Sequence, residues 1–255
     1  MNQLLVCILG VSASLIGCDC GNAYRYFTLQ VDTVDIINPN PVTHKGTVVV
    51  FHGYAYYGIP MINDLLAYGF DMGPDVRVVT LEARATEANP WPAWFPFLIF
   101  PWDGGVFGDL GDKVILQQSS EVILSHLQTE AELLGGDWGR IFLYGLSQGG
   151  MIASWMGLMS SVRFGGVVNQ VGCFPLMSMK DIVKHPDIPI VDYHDPLDTG
   201  VPWRFVEGGR EAAIGAGASQ YEPIVETTGP KQNHHAPDRG GIAAANEWIK
   251  SKLLP

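Results

Sequence analysis

Short apolar runs rich in β-branched residues alternate along the chain with longer stretches of helical periodicity. Segments such as "TVVVF" and "IPIVDY" are apolar at successive positions, the pattern of strands covered on both faces. The strands read from this pattern are Phe27–Ile37, Thr47–Phe51, Val76–Leu81, Arg140–Tyr144, Gly166–Val171, Ile188–Tyr193 and Tyr221–Glu226. Helical patterns cover Met61–Phe70, Lys113–Leu134, Gln148–Ser160, Trp203–Ile214 and Asp238–Leu253. Regular β-then-α alternation predicts an α/β protein with a doubly wound, mostly parallel sheet, helices on both faces and right-handed crossovers. Ligands of such sheets bind beyond the carboxyl ends of the strands, so the residues there carry the functional reading.

Composition narrows the picture. The 255 residues suit one domain, and 47% hydrophobic against 16% charged residues describes a globular chain with a thin polar coat. A net charge of −11 argues against nucleic acid and against strongly anionic membrane surfaces as partners. No basic run, linker, repeat or low-complexity tract divides the chain, which predicts a single domain over 24–255.

Residues 1–23 read differently. Leu4 to Gly17 is a 14-residue apolar run, too short to span a bilayer but suited to the core of a signal peptide. Gly21 and Ala23 place small residues at the −3 and −1 positions of a cleavage after Ala23, which predicts a secreted or extracytoplasmic protein. The leader Met1-Asn2-Gln3 carries no basic residue, and a chain that kept residues 1–23 would be cytoplasmic. Leu15-Ile16-Gly17-Cys18 also resembles a bacterial lipobox, in which Cys18 would be lipidated. Cys7, Cys18 and Cys20 all fall in this segment, leaving Cys173 as a lone core thiol with no disulfide framework.

The chemistry lies behind the strands. "HGYAYYG" follows the second, "GLSQGG" the fourth, "HDPLDTGVP" the sixth and "NHHAPD" the seventh. In a chain with 30 glycines, a G-x-S-x-G match is weak by itself. Here it sits at a strand–turn–helix junction, and Ser147, Asp198 and His235 arrive in the order nucleophile, acid, base. Asp195 and His234 are close rivals for the last two roles, whereas Asp192 falls inside a strand and would point away.

Together these stretches resemble the phospholipase/carboxylesterase family of α/β-hydrolases, which includes acyl-protein thioesterases and lysophospholipases. The resemblance rests on "VVVFHG", "PAWF" (Pro92–Phe95), "GLSQGG", "GCFPL", "HDPLDTGVP" and a His thirteen residues before Trp248. It implies an α/β-hydrolase fold and a serine esterase or thioesterase that works through an acyl-enzyme without a cofactor. Ser147 is then the nucleophile. Asp198, four residues before Pro202, orients the base, and His235 fits the spacing to Trp248 better than His234. The backbone N–H groups of Tyr54 and Gln148 would form the oxyanion hole. Where relatives continue that turn with Gly and Asp, this chain has Ala55-Tyr56-Tyr57, which puts the turn's shape in question.

The most apolar stretch is "PWPAWFPFLIFPW", Pro90–Trp102, whose four prolines exclude a membrane helix and a central strand. Trp94, Phe95, Phe97 and Leu98, with Tyr56 and Tyr57, are the candidates for an acyl-binding wall, and core packing is the competing role. The implied substrate is a small-molecule or lipid acyl ester. No nucleic acid, metal or stable membrane insertion is implied, and a site from His194, Asp195, His234 and His235 lacks any HExxH-like spacing. Rival readings are a lipase-like or polyester-degrading hydrolase and a catalytically silent α/β-hydrolase-fold binding protein.

Overall fold

The computed structural model describes residues 27–38, 40–41, 43–85, 90–103, 107–225 and 239–254. The segment 1–23, expected from the sequence to be a signal peptide, and both candidate bases, His234 and His235, lie outside these residues. Seven strands are described: β1 (Val31–Ile37), β2 (Gly46–Phe51), β3 (Val76–Ala83), β4 (Ile141–Leu146), β5 (Gly166–Gln170), β6 (Ile190–His194) and β7 (Tyr221–Val225). The helices are α1 (Gly58–Ala67), α2 (Lys113–Leu133), α3 (Gln148–Met159), α4 (Trp203–Gly215) and α5 (Arg239–Leu253).

All the strands form one sheet in the order β1-β3-β2-β4-β5-β6-β7, parallel except for β1, which runs antiparallel to β3. This is the mostly parallel, doubly wound sheet expected. Side-chain alternation along each strand divides the core in two. Ile141 and Leu143 of β4 join α2, α3 and α4 on one face, while Phe142, Tyr144 and Leu146 join α1 and α5 on the other. Helix α3 is buried at every position, so polar residues on it must find partners inside the protein.

The chain order fixes where a site can form. From β2 the chain moves to β3 through α1 on one face; it then crosses over β2 to β4 through α2 on the other face. The winding direction therefore reverses between the neighbours β2 and β4, and the crevice beyond their carboxyl ends is the switch point of the sheet. Residues 52–57 leave β2 at that crevice and residues 147–150 leave β4. At the opposite end of the sheet, the buried pair Arg77–Glu130 (Nε–Oε2 2.8 Å) ties β3 to α2, well away from this crevice.

Two boundaries differ instructively from the sequence pattern. Strand β4 continues two residues past Tyr144 to Leu146, so Ser147 follows the strand with no intervening loop. Helix α1 starts at Gly58 rather than Met61 and ends before Gly69, whose φ of +98° turns the chain out of the helix.

Candidate active site

Ser147 sits at a corner that few side chains tolerate. Its φ of 54° and ψ of −117° are outside the regions open to ordinary L-residues, and α3 begins at the very next position. The corner is tight because the helix turns straight back onto the sheet. A Cβ at Gly145 would lie 2.2 Å from the Gly149 carbonyl, and one at Gly149 would lie 2.2 Å from the carbonyl oxygen of Phe51. Glycine at both flanking positions is therefore a steric requirement. The corner is anchored by the Ser147 N–H, which donates to the Gln170 carbonyl at 2.8 Å. Ser147 is largely enclosed, with 4% of its surface exposed.

The turn after β2 lies against this serine. A Cβ on Gly53 would be 3.5 Å from the Ser147 Cβ. Gln148 opens α3, so its N–H belongs to the first turn, whose donors have no intrahelical acceptor. Ala55 occupies the left-handed region at φ 55°, where a glycine would be at ease. The missing glycine changes the strain of this turn while the turn itself forms, closed by Tyr56 N–H to the Gly53 carbonyl at 3.3 Å.

His52 stabilises the turn from beneath. Its Nε2 accepts the Ala83 N–H at 2.9 Å, which leaves Nδ1 to carry the proton and donate to the Gly53 carbonyl at 2.7 Å. Full burial lowers its pKa to about 4, so the ring is neutral at ordinary pH. The sequence pattern assigns His52 no role, because a histidine at a strand end has no periodicity to mark it.

Asp198 is buried in the loop after β6. Its Oδ1 accepts the backbone N–H groups of Gly200 at 2.6 Å and Val201 at 3.1 Å. Its Oδ2 is 3.6 Å from Nε2 of the buried His194, and that nitrogen donates to the Val201 carbonyl at 2.8 Å. His194 thus braces the acid loop. Asp195 is more exposed and caps Leu197 N–H within its own turn at 2.8 Å. Asp192 is inside β6 as expected, but it is not idle: Tyr221 donates to its Oδ2 at 3.2 Å, and burial raises its pKa to about 8. A carboxyl that is neutral near pH 7 is poorly suited to stabilise an imidazolium.

The apolar stretch divides into two halves. Trp94 and Phe95 have no exposed surface and pack in the core; Trp94 Nε1–H donates to the His52 carbonyl at 2.7 Å. Their side chains therefore support the turn from inside. Beyond them, Phe97, Phe100 and Trp102 form a ring cluster with Tyr54, with centroids 5.4 Å apart for Tyr54–Phe97 and 4.8 Å for Phe100–Trp102. Leu98 and Trp102 keep 40% and 43% of their surface exposed. Of the two tyrosines after the turn, Tyr56 is drawn back to α1, where its hydroxyl donates to Asp64, and burial together with Asp64 raises its pKa to about 12. Tyr57 is half exposed beside the start of α1. Tyr54, considered in the sequence only for its backbone, is the tyrosine that joins the aromatic wall.

Sheet order, the strained serine and the turn beside it define an α/β-hydrolase. Residues 33–250 match the phospholipase/carboxylesterase family, and the chain belongs to it. No curated protein matches the chain by sequence. Among solved structures it is similar to SOBER1 of Arabidopsis thaliana at a TM-score of 0.64 and 17% identity, covering 82% of this chain and 99% of that one. The Bacillus cereus carboxylesterase aligns at 0.64 and 16% identity over 89% and 96% of the two chains. Zea mays acyl-protein thioesterase 2 aligns at 0.58 and 16% over 88% and 99%. At these identities the likeness is one of fold. Among the described residues, no helix is long and apolar enough to cross a membrane.

Proposed function

We propose that this chain hydrolyses carboxylic esters or thioesters through an acyl-enzyme on Ser147. The observation that carries the reading is the Ser147 backbone, held at φ 54° between two glycines that the corner requires. Such strain is retained where exposing a hydroxyl to a reacting carbonyl is useful. His235 takes the proton from Oγ as Ser147 attacks the carbonyl carbon. The backbone N–H groups of Tyr54 and Gln148 receive the oxyanion, and Asp198 stabilises the imidazolium. Collapse expels the alcohol or thiol with the proton from His235; water, activated by the same base, then releases the acid. The rings of Tyr54, Phe97, Phe100 and Trp102 suit an apolar acyl group rather than a charged one.

A fluorophosphonate probe should label Ser147, and Ser147→Ala should abolish labelling and lower kcat by about 10⁶. Undiminished turnover in that variant would end the reading. We further propose export: a mature chain that begins near Tyr24 in the native host supports it, and an intact Met1 on a cytoplasmic protein refutes it.

A further inference from the structure

The side chain of Gln148 has no exposed surface, and both ends of its carboxamide are engaged. Oε1 accepts the Trp94 N–H at 3.0 Å, and Nε2 donates to the Phe95 carbonyl at 2.8 Å. A backbone N–H can only donate and a carbonyl can only accept, so the partners fix which way the amide points. The result is a pair of hydrogen bonds between the side chain of the first residue of α3 and a stretch of chain that is neither helix nor strand.

That stretch also grips the opposite side of the crevice. The Pro92 carbonyl accepts the Ala55 N–H at 2.9 Å, and Trp94 Nε1–H donates to the His52 carbonyl at 2.7 Å. Residues 92–95 are thus a strap with two bonds to the turn that carries Tyr54 and two to the side chain of Gln148. The oxyanion donors belong to different elements, one after β2 and one at the start of α3. An oxyanion must meet both at about 2.7–3.1 Å at once, so their separation needs a fixed span.

We propose that the Gln148 side chain is a positioning residue that sets this separation through the 92–95 strap, a role distinct from that of its own backbone N–H. The inference rests on the acyl-enzyme reading above. The strap continues into Phe97, Phe100 and Trp102, whose rings pack on Tyr54, so the acyl wall and the span between donors are one mechanical unit.

The test compares Gln148→Leu and Gln148→Glu with wild type on p-nitrophenyl acetate, with active sites titrated by a fluorophosphonate. A misplacement of about 1 Å costs roughly 10²-fold in rate, so Gln148→Leu should lose about ten- to a hundredfold in kcat with KM changed less than about threefold. Labelling of Ser147 should slow by a similar factor. A protonated glutamic acid can remake both bonds, whereas a carboxylate cannot donate to the Phe95 carbonyl. The ratio of Gln148→Glu to wild-type kcat, taken at the same pH, should therefore climb as pH falls from 8 to 5.5, while the ratio for Gln148→Leu stays flat. A purely structural role would lower the fraction of titratable sites without changing kcat per site. Per-site kcat within twofold of wild type, or a Gln148→Glu ratio that ignores pH, overturns the proposal. Wild-type protein that neither labels nor turns over, or a fully active Ser147→Ala variant, instead sinks the parent reading and the inference with it.

Discussion

The indole N–H of Trp94 reaches the carbonyl oxygen of His52 at 2.7 Å, and the two rings lie 4.8 Å apart between their centroids. A single side chain of the apolar stretch thereby holds the backbone just before the turn at Gly53–Tyr56 and shields the imidazole that supports the turn from below. Trp94 combines apolar bulk with one well-aimed donor, and it is the donor that separates it from a generic core residue.

Trp94→Phe isolates that donor. Phenylalanine keeps a ring against Phe51, 5.1 Å away in the native structure, and leaves the buried His52 carbonyl without this partner. An unsatisfied buried group costs about 1–3 kcal/mol. Urea unfolding should show a loss of that size, together with a fall in acetate-ester kcat. A variant with native stability and turnover would show that the bond is dispensable.

Ala55 tests the strain in the same turn. An alanine in the left-handed region costs roughly 1–2 kcal/mol, part of which Ala55→Gly would return to the greater freedom of a glycine in the unfolded chain, about 0.4–1 kcal/mol. Ala55→Gly should therefore melt at or slightly above wild type and remain active. Ala55→Val, β-branched at positive φ, should lose more than about 1 kcal/mol and most of its activity. If valine is tolerated as well as glycine, the turn is not constrained at this position.

His52 gives a pH dependence whose sign is fixed by its neutral state. Burial lowers its pKa from 6.5 to about 4, so the folded protein resists protonation more than the unfolded chain does. The contribution is complete above pH 6.5 and is lost as pH falls towards 4; it amounts to about 3 kcal/mol at one pKa unit per 1.36 kcal/mol. The stability gap between wild type and His52→Gln should therefore narrow across that window. A gap that is constant from pH 7 to 4 would mean the ring is not neutral in the fold.

Much of this was legible in the chain because the signals were local. Apolar β-rich runs marked the seven described strands, and helical periodicity the five described α-helices, to within a few residues; for central parallel strands such as β2 and β4 this is because both faces are covered. Ser147 and its two glycines were visible as a motif, and the structure adds the reason, carbonyl contacts that any Cβ would violate. The sequence leaves the acid between Asp195 and Asp198; in the structure Asp198 is the buried one and accepts two backbone N–H groups, while Asp195 is more exposed and caps its own turn. The roles of His52, His194 and the Gln148 side chain were not legible. Each is defined by hydrogen bonds to residues that a linear pattern does not bring together, Ala83, Val201 and Trp94 respectively. The division of the apolar stretch was hidden for a similar reason: hydrophobicity is uniform across it, and only packing separates Trp94 from Trp102.

That division reshapes the test of acyl binding. Phe97 is buried to 6% exposure in the ring cluster, so Phe97→Ser should cost about 3–5 kcal/mol in stability and impair short and long esters together. Leu98 and Trp102 have surface to offer a substrate; Leu98→Ser should leave the melting temperature nearly unchanged, whereas Trp102→Ala also removes ring contacts with Phe100 and Tyr54 and should lower it. If they form the acyl wall, each methylene buried against them adds up to about 0.8 kcal/mol of binding, and p-nitrophenyl esters should improve from C2 towards C6–C8. Both replacements should flatten that rise, and Leu98→Ser should do so while acetate turnover stays near wild type. A chain-length profile unchanged in both variants would move the acyl site off this wall, and Tyr57 at the start of α1 would be the next residue to replace.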